Sequence, residues 1–343
     1  MTDLARRDRA ELDDFRDRFA VWMGEHRTEL EPMRSLPSEL DAQFGVQRRF
    51  QRELCEAGWL RRGWPESVGG LGGSVAIRGA LAEELTRAGY VFPLALSMIE
   101  VLAPAVLRFG DPGLAAQMFP RFLSGVEFWC QGFSEPEAGS DLGSMRTQAK
   151  SDGNLWRVSG QKIWTSWAQF AQRCVLLVRT GEQVAADEDA ERRWEGALAL
   201  GRRLLAQEML GVVAEQLRLA VRHALDRSQF GRPIGSFQAI QHKLADVYVG
   251  LTVADLATDE AWHDPSPSTC VLAKLLAGAA VDAANLHCQQ VLGGIGFTWE
   301  HPFHRYLRRG RMFATMLGRR PQLASALGSE IVRSQRLPDL APL

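Results

Sequence analysis

The sequence predicts a mainly α-helical α+β protein with a small β unit between two helical blocks. Apolar residues recur at helical spacing before about residue 125 and again after about residue 196, for example at Leu12, Phe15 and Phe19. Between about residues 128 and 180, apolar and polar residues alternate as they do in strands. The predicted domains are residues 1–127, 128–195 and 196–343.

The first helical block is interrupted by a glycine-rich segment. Gly69, Gly70, Gly72 and Gly73 lie close together after a Trp-Pro pair. Glycine is costly inside a helix because it loses more conformational freedom than any other residue. We therefore expect a loop here, and we expect it to approach another element closely.

The predicted β unit is short and ends in a polar segment. Its alternating pattern is set by Trp156, Val158, Cys174, Leu176 and Val178, which we expect to be half-buried. The segment from Gly181 to Glu195 is polar and acidic, as solvated linkers are. We expect a linker there, before the second helical block begins.

The second helical block begins with a long amphipathic pattern. Leu204, Leu205, Leu210, Leu217 and Val221 recur at the spacing of one helix face. Further helices are predicted over about Phe237–Trp262, Thr269–Val291 and Pro302–Met316. The chain thus reads as helical block, β unit and helical bundle.

Charge and composition exclude several classes of partner. Lys and Arg total 40 and Asp and Glu total 41, so nothing favours nucleic acid or an anionic membrane. Five cysteines without CxxC spacing are interpreted as buried thiols in a reducing compartment, with no metal site. The charged N-terminus resembles neither a signal peptide nor an anchor, and no uninterrupted apolar run reaches about 18 residues. We expect a cytoplasmic protein.

Four stretches resemble segments of one enzyme family, in the order that the family shows. They are GWLRRGWPESVGGLGGS (58–74), WCQGFSEPEAGSDLGSMRT (129–147) with SGQKIWTSWA (159–168), DRSQFGRPIGSFQAIQHKLAD (226–246), and QQVLGGIGFTWEHPFHRYLRRGR (289–311). The resemblance is to the acyl-CoA dehydrogenases. It implies their three-domain fold, FAD as the cofactor, and an oxidoreductase that desaturates an acyl-CoA between Cα and Cβ. It also implies an electron-transfer flavoprotein as the electron acceptor.

The second stretch carries the residues that the resemblance assigns to the flavin ring. It implies that Ser134, Trp164 and Ser166 contact the isoalloxazine and that Ser140 lies near the CoA thioester arm. These residue types suit the task, because a flavin needs hydrogen-bond partners at its polar edge and apolar cover on its faces. The alternative is a pair of serine-rich turns packed around a core tryptophan.

The third and fourth stretches carry residues that the resemblance assigns to a neighbouring subunit's FAD. In the third, Arg227 suits a pyrophosphate, Gln238 offers an amide, and Phe230 suits the adenine side. The alternative for Arg227 is a cation that complements a helix C-terminus. In the fourth, Gln290 is the polar side chain, and Gly293 and Gly294 let backbone N–H groups approach a phosphate or ribose.

An arginine cluster closes the fourth stretch. It consists of Arg305, Arg308, Arg309 and Arg311 on one predicted helix. Such a cluster can neutralise a ligand phosphate, and the alternative is a solvated helix face.

The catalytic base of the family is missing from both of its usual positions. Desaturation needs a carboxylate that removes the Cα proton. The resemblance places that Glu either where this chain has Leu317 or where it has Gly201. Glu208 lies seven residues after Gly201, about 10 Å along the helix, and is the substitute candidate. The alternative for Glu208 is an exposed or cap-paired residue.

These departures resemble one subgroup of the family. The β unit is also shorter than in typical members, so the wall of the flavin and acyl site is incomplete. Both features resemble the shortened chain of actinobacterial α2β2 acyl-CoA dehydrogenases of sterol catabolism. The resemblance implies a second, longer acyl-CoA dehydrogenase subunit that supplies the base, and a CoA ester of a sterol side chain or ring fragment as substrate.

Three other functions remain open. One is a homomeric dehydrogenase that uses an unusual base such as Glu208. Another is a flavin monooxygenase on the same fold, which needs no carboxylate at the two lost positions. The third is a non-catalytic structural subunit that has kept the fold and lost the flavin.

Overall fold

The computed structural model describes residues 3–90, 94–139, 141–181 and 188–335. Its N-terminal part is helical, as predicted. The helices are α1 (Asp3–Glu25), α2 (Arg27–Leu30), α3 (Leu40–Glu56), α4 (Ala76–Arg87), α5 (Leu94–Phe109) and α6 (Pro112–Leu123). Phe15 and Phe19 of α1 stack on each other and meet Trp59 edge-on. The apolar stripe of α1 is therefore its core face.

The glycine-rich segment between α3 and α4 is a closely packed loop, which confirms that prediction. A Cβ on Gly70 would lie 2.1 Å from the carbonyl oxygen of Trp64, and one on Gly73 would lie 2.7 Å from Oε1 of Glu11. Neither position has room for a side chain. Trp64 is buried and meets the ring of Phe119 on α6 at 4.7 Å. The loop thus belongs to the core of this domain.

The middle unit contains two small sheets. Strands β1 (Trp129–Gly132) and β4 (Arg173–Leu176) pair in parallel, and β2 (Gln148–Asp152) and β3 (Leu155–Ser159) pair antiparallel. Trp156 and Val158 are exposed and not half-buried, which corrects the prediction. The β2–β3 sheet has only two strands and no further described strand extends it, so a buried face does not form.

The cysteines are mostly buried, with one exception. Cys55, Cys130, Cys270 and Cys288 are buried as expected, but Cys174 on β4 is exposed. It lies opposite Cys130 in the parallel pairing of β1 and β4. Strand β1 is mostly buried, whereas its partner β4 is mostly exposed, which explains the difference between the two cysteines.

The C-terminal part is a helical bundle with a short hairpin. It consists of α7 (Glu188–Asp226), β5 (Ser228–Gln229), β6 (Arg232–Pro233), α8 (Gln238–His263), α9 (Pro267–Leu292), α10 (Phe303–Thr315) and α11 (Arg320–Ser334). Helix α7 begins seven residues before the predicted end of the linker, so the linker prediction is wrong from Glu188 onward. Acidic residues are favourable in the first turns of a helix, which explains why an acidic segment is helical here. Residues 182–187 of that segment lie outside the described residues.

Helix α9 occupies the centre of the bundle. Together with the turn that follows it, α9 forms the segment Pro267–Phe297, which is long and apolar enough to cross a membrane by length and composition alone. In the fold, Ala277, Val281 and Ala284 are fully buried together with residues of α7 and α8. A helix that is apolar on most sides is the expected centre of a bundle.

Candidate flavin and base sites

Two loops of the middle unit lie side by side. The backbone N–H of Ile163 donates to the carbonyl oxygen of Ser134 at 2.9 Å. The ammonium group of Lys162 donates to the carbonyl oxygen of Phe133 at 3.0 Å. These two bonds place Ser134 beside the loop that carries Trp164. The structure therefore brings together the two halves of the second sequence stretch.

Trp164 is held at the surface in an unusual backbone conformation. Its φ is 55°, in the left-handed region that bulky residues rarely adopt, and its side chain is 87 % exposed. The alternative of a core tryptophan is therefore wrong. Ser166 is exposed two residues further along the same loop. A free aromatic face near hydroxyl groups suits a planar ligand with a polar edge, so these residues fit a flavin.

A buried ion pair fixes these loops and was not identified from the sequence. Glu135 accepts from Lys162 Nζ at 2.7 Å and from the backbone N–H groups of Arg146 and Thr147 at 2.5 and 3.0 Å. Burial acts to raise the pKa of Glu135, but these donors outweigh it and lower the pKa to about 2. Both partners lie inside the second stretch. Glu135 follows Ser134 directly and Lys162 lies two residues before Trp164, and this placement was the available sequence signal for the ion pair.

The β5–β6 hairpin presents the residues of the third stretch. Phe230 has a φ of 52° and is 93 % exposed, with the ring of Phe237 edge-on at 6.2 Å. Arg227 directly follows α7 and its side chain is exposed, which is compatible with both a ligand contact and a helix C-terminal cation. Gln238 is the exposed first residue of α8.

The fourth stretch lies at the end of α9, next to α8. The ammonium group of Lys243 on α8 donates to Oε1 of Gln290 on α9. Gly293 follows with a φ of 63°, and a Cβ on Gly293 or Gly294 would meet no atom within 4 Å. The space in front of these glycines is open. Their backbone is therefore accessible to a ligand from outside the chain.

The two groups of assigned residues are separate within this chain. Ser134, Trp164 and Ser166 lie in the middle unit, and the others lie on the hairpin and at the α8–α9 end of the bundle. In the part of the chain that the structure describes, no hydrogen bond or ring contact joins the two groups. Ser140, assigned to the thioester arm, lies outside the described residues.

The two positions that the resemblance gives for the base converge in space, and neither holds a carboxylate. Nε of Arg202 donates to the carbonyl oxygen of Leu317 at 3.0 Å, which brings the beginning of α7 to the loop after α10. Lys274 donates to the carbonyl oxygen of Gly318 at 2.8 Å, and burial lowers the pKa of Lys274 to about 8. Two cations thus hold the backbone at Leu317, beside Gly201.

Glu208 is buried two turns further along α7. It is 1 % exposed, and neither carboxyl oxygen has a hydrogen-bond partner. The alternative of an exposed or cap-paired residue is therefore wrong. Burial raises the pKa of Glu208 to about 8, although the nearby charge of Arg309 acts in the opposite direction. The side chain is therefore mainly protonated at neutral pH.

Sequence models of known families match nearly the whole chain. The acyl-CoA dehydrogenase N-terminal domain matches residues 14–126, the middle domain residues 130–198, and the C-terminal domain residues 192–323. Acyl-CoA dehydrogenase IpdE2 of Mycobacterium tuberculosis is 30% identical over 84% of this chain and 89% of its own length. Acyl-CoA dehydrogenase IpdE1 of the same organism is 38% identical over 50% of this chain. This match covers 45% of the length of IpdE1, which is about half of that protein.

Solved structures show the same fold. A variant of the Tcur3481-Tcur3483 steroid ACAD superimposes with a TM-score of 0.77 at 24% sequence identity, over 96% of this chain and 99% of that one. The fold therefore extends through all three domains. On this evidence the chain belongs to the acyl-CoA dehydrogenase family, whose members are FAD-dependent oxidoreductases that act on acyl-CoA.

Proposed function

We propose that this chain is a flavin-contacting subunit of a heteromeric acyl-CoA dehydrogenase, and that a second, longer homologous chain supplies the catalytic carboxylate. The observation that carries the proposal is the base position. Leu317 and Gly201 stand where a family member has its Glu, and Arg202 and Lys274 occupy the backbone acceptors beside them. A proton at Cα therefore has no acceptor at this place in the chain.

The exposed aromatic residues support a shared site. Trp164 and Phe230 are among the most exposed large side chains of the protein, and both have a left-handed backbone. Such positions are sterically unfavourable and occur where a ligand or partner makes use of them. Because the two residues belong to separate groups, we assign Trp164 to a flavin of this chain and Phe230 to a flavin of the partner.

The roles of the residues follow from their chemistry. FAD, when bound, accepts the hydride from Cβ. Ser134 and Ser166 offer hydroxyl groups to its polar edge, and Trp164 covers a ring face and excludes water. Arg227, Gln238, Gln290 and the backbone at Gly293 and Gly294 offer donors to a pyrophosphate and ribose. Ser140 is assigned to the CoA arm by resemblance alone.

The substrate class follows from the relatives and is part of the proposal. The steroid ACAD shares the fold, and the IpdE proteins are acyl-CoA dehydrogenases at 30 to 38% identity. We propose a CoA ester of a sterol-derived side chain or ring fragment. An electron-transfer flavoprotein as the electron acceptor and a cytoplasmic location are further parts of this proposal.

The decisive experiment compares the chain alone with the chain co-expressed with a longer homologue encoded beside it. We expect a yellow complex that desaturates an acyl-CoA, and no turnover by the chain alone. Replacing the family Glu of the partner with Gln should abolish turnover, whereas Glu208→Gln in this chain should leave it within about twofold. Turnover by the chain alone, abolished by Glu208→Gln, would establish the homomeric alternative instead.

A second experiment tests which chain contacts the flavin. Trp164→Ala should lower the flavin content of the complex, and Trp156→Ala is the matched control because it is an exposed tryptophan of the same unit outside the assigned residues. Equal flavin content in the two variants contradicts the assignment. A colourless complex favours the structural subunit, and oxygen consumption independent of CoA esters favours the monooxygenase.

A further inference from the structure

A cleft lies between the N-terminal helical domain and α10. It has a volume of about 1300 Å³ and is bounded by residues of α7, α10, the end of α4 and the segment after α2. This is larger than the ~300 to 1,000 Å³ of typical small-molecule sites, so the cleft can admit a ligand of nucleotide size. None of the residues that the resemblance assigns to FAD belongs to its wall.

The wall of the cleft is strongly cationic. It contains Arg34, Arg87, Arg218, Arg305, Arg308 and Arg309, and Glu215 is the one carboxylate among the described residues of the wall. The whole chain has nearly balanced charges, 40 basic against 41 acidic residues, so this concentration is local. A cleft lined by one sign of charge focuses the field and attracts the opposite charge.

The arginines differ in how far their charges are already neutralised. Arg218 binds both carboxyl oxygens of Glu215, at 2.7 and 2.6 Å, and Arg87 lies 3.0 Å from Glu84. Arg305 and Arg308 have no carboxylate within 4.0 Å among the described residues. These two exposed guanidinium groups are therefore available to an anion.

Arg309 is a wall residue that is less exposed than Arg305 and Arg308, and burial lowers the pKa of its guanidinium group. It donates to the carbonyl oxygen of Tyr90 at 2.8 Å, which is a neutral acceptor. The carboxyl group that interacts with it from inside the bundle is Glu208, whose raised pKa leaves it mainly neutral at pH 7. A protonated Glu208 therefore does not neutralise the positive charge of Arg309.

An aromatic surface stands beside the free arginines. Trp299 is part of the wall and is 75 % exposed, with the guanidinium of Arg308 5.8 Å from its ring centroid. Exposed tryptophan rings are platforms on which nucleic-acid bases stack. Phosphate-binding cations and a stacking surface therefore occur within one cleft.

We propose that this cleft binds a nucleotide, with its phosphate groups on Arg305 and Arg308 and its base on Trp299. The site is distinct from the residues assigned to FAD. A free nucleoside diphosphate and the nucleotide part of a larger cofactor share this chemistry, so the experiment must separate them.

The experiment is isothermal titration of the full-length chain with ADP, inorganic pyrophosphate, adenosine, CoA and FAD. We expect ADP and pyrophosphate to bind, adenosine to bind at least about tenfold more weakly than ADP, and ADP affinity to fall with added salt. Tighter binding of CoA or FAD than of ADP identifies the larger cofactor as the source of the nucleotide. Absence of ADP and pyrophosphate binding at millimolar concentration overturns the proposal.

Variants locate the site. Arg305→Ala with Arg308→Ala should weaken ADP binding by about tenfold or more, because each removes a charge-assisted contact. Trp299→Ala should weaken ADP binding and leave pyrophosphate binding unchanged. Arg311→Ala is the matched control, since Arg311 is exposed on the same helix and outside the cleft. Unfolding temperatures of the variants confirm that each is folded.

Two outcomes would overturn the proposal even if ADP binds. ADP binding that survives the double variant and is lost in Arg227→Ala belongs to the residues assigned to FAD. A double variant that keeps its ADP affinity but no longer associates with the longer partner chain identifies the cleft as a docking surface for an acidic protein.

Discussion

The β2–β3 sheet of the middle unit and the C-terminal bundle both carry large apolar side chains, but the sheet leaves its own exposed whereas the bundle has a buried core. In the β unit, Leu155 is 74 % exposed and Trp156 is 59 % exposed. In the bundle, Met209, Val281 and Phe303 are fully buried. Helices α7, α8, α9 and α10 pack on one another, whereas β2 and β3 form a two-stranded sheet that no further described strand extends.

The difference shows which region of the chain forms its own apolar core. The bundle buries an apolar core of its own, and it also leaves apolar side chains exposed, such as Val249 on α8 and Leu286 on α9. A two-stranded sheet does not form an independent core, and its exposed apolar residues are available to a cofactor or partner. The residues assigned to the flavin ring, including Trp164, lie in the incomplete region.

The largest effect is expected from the core of the bundle. Phe303→Ala should lower the free energy of unfolding by about 3 to 5 kcal/mol, because it removes a fully buried ring and leaves a cavity. Chemical denaturation of the isolated chain measures the change. Phe297→Ala is the matched control, since that ring is 76 % exposed a short distance before α10. Similar losses in both variants would show that the bundle is not independently packed.

The next effect is expected from the buried ion pair between Glu135 and Lys162 in the β unit. Glu135→Gln should cost about 3 kcal/mol at pH 7, because it leaves the Lys162 charge buried without its partner. Glu137→Gln, at an exposed neighbouring carboxylate, should cost at most about 0.5 kcal/mol.

The cost of Glu135→Gln should also depend on pH. The pKa of Glu135 is about 2 in the folded chain and 4.5 in its ordinary state, so its contribution is present above pH 4.5 and is lost as the pH falls toward 2. Denaturation at pH 7 and pH 3 measures this. A cost that stays constant between these values would contradict the ion pair.

A pH-dependent effect is expected at Glu208 in the bundle. Its pKa rises from 4.5 to about 8 on folding, so the wild-type chain loses stability as the pH rises through this interval. Glu208→Gln should therefore gain stability relative to wild type by up to about 1.4 kcal/mol per pH unit between pH 5 and 8. Asp226→Asn, at the exposed end of α7, is the matched control. A flat difference for Glu208→Gln would place this carboxylate in a polar environment.

The smallest effect is expected on the exposed sheet. Trp156→Ala should change the stability of the isolated chain by no more than about 0.5 kcal/mol, because the ring has little burial to lose. Trp129→Ala in the same unit should cost several-fold more, since that ring is buried and stacks on Phe122 at 4.4 Å. Urea unfolding of both variants tests the contrast. A large cost for Trp156→Ala would mean that the sheet is covered in the isolated chain.

Much of the fold could be predicted because helical periodicity is a local property. The pattern of α7 and the bounds of α8, α9 and α10 follow from apolar spacing that each helix carries alone. The exposure of Trp156 could not be predicted in the same way. Alternation indicates a strand, but burial of the strand needs a covering layer from elsewhere in the chain.

Sequence alone determined the family resemblance, the helical blocks and the presence of Leu317 and Gly201 at the two positions that the resemblance gives for the base, because these depend on residue identity and order. Only the tertiary structure decided that Glu208 is buried and that Trp164 is free at the surface. It also decided that Arg305 and Arg308 share a cleft with arginines from three other segments. Burial, pKa shifts and the convergence of charges depend on distances between residues far apart in the chain, and local patterns do not contain those distances.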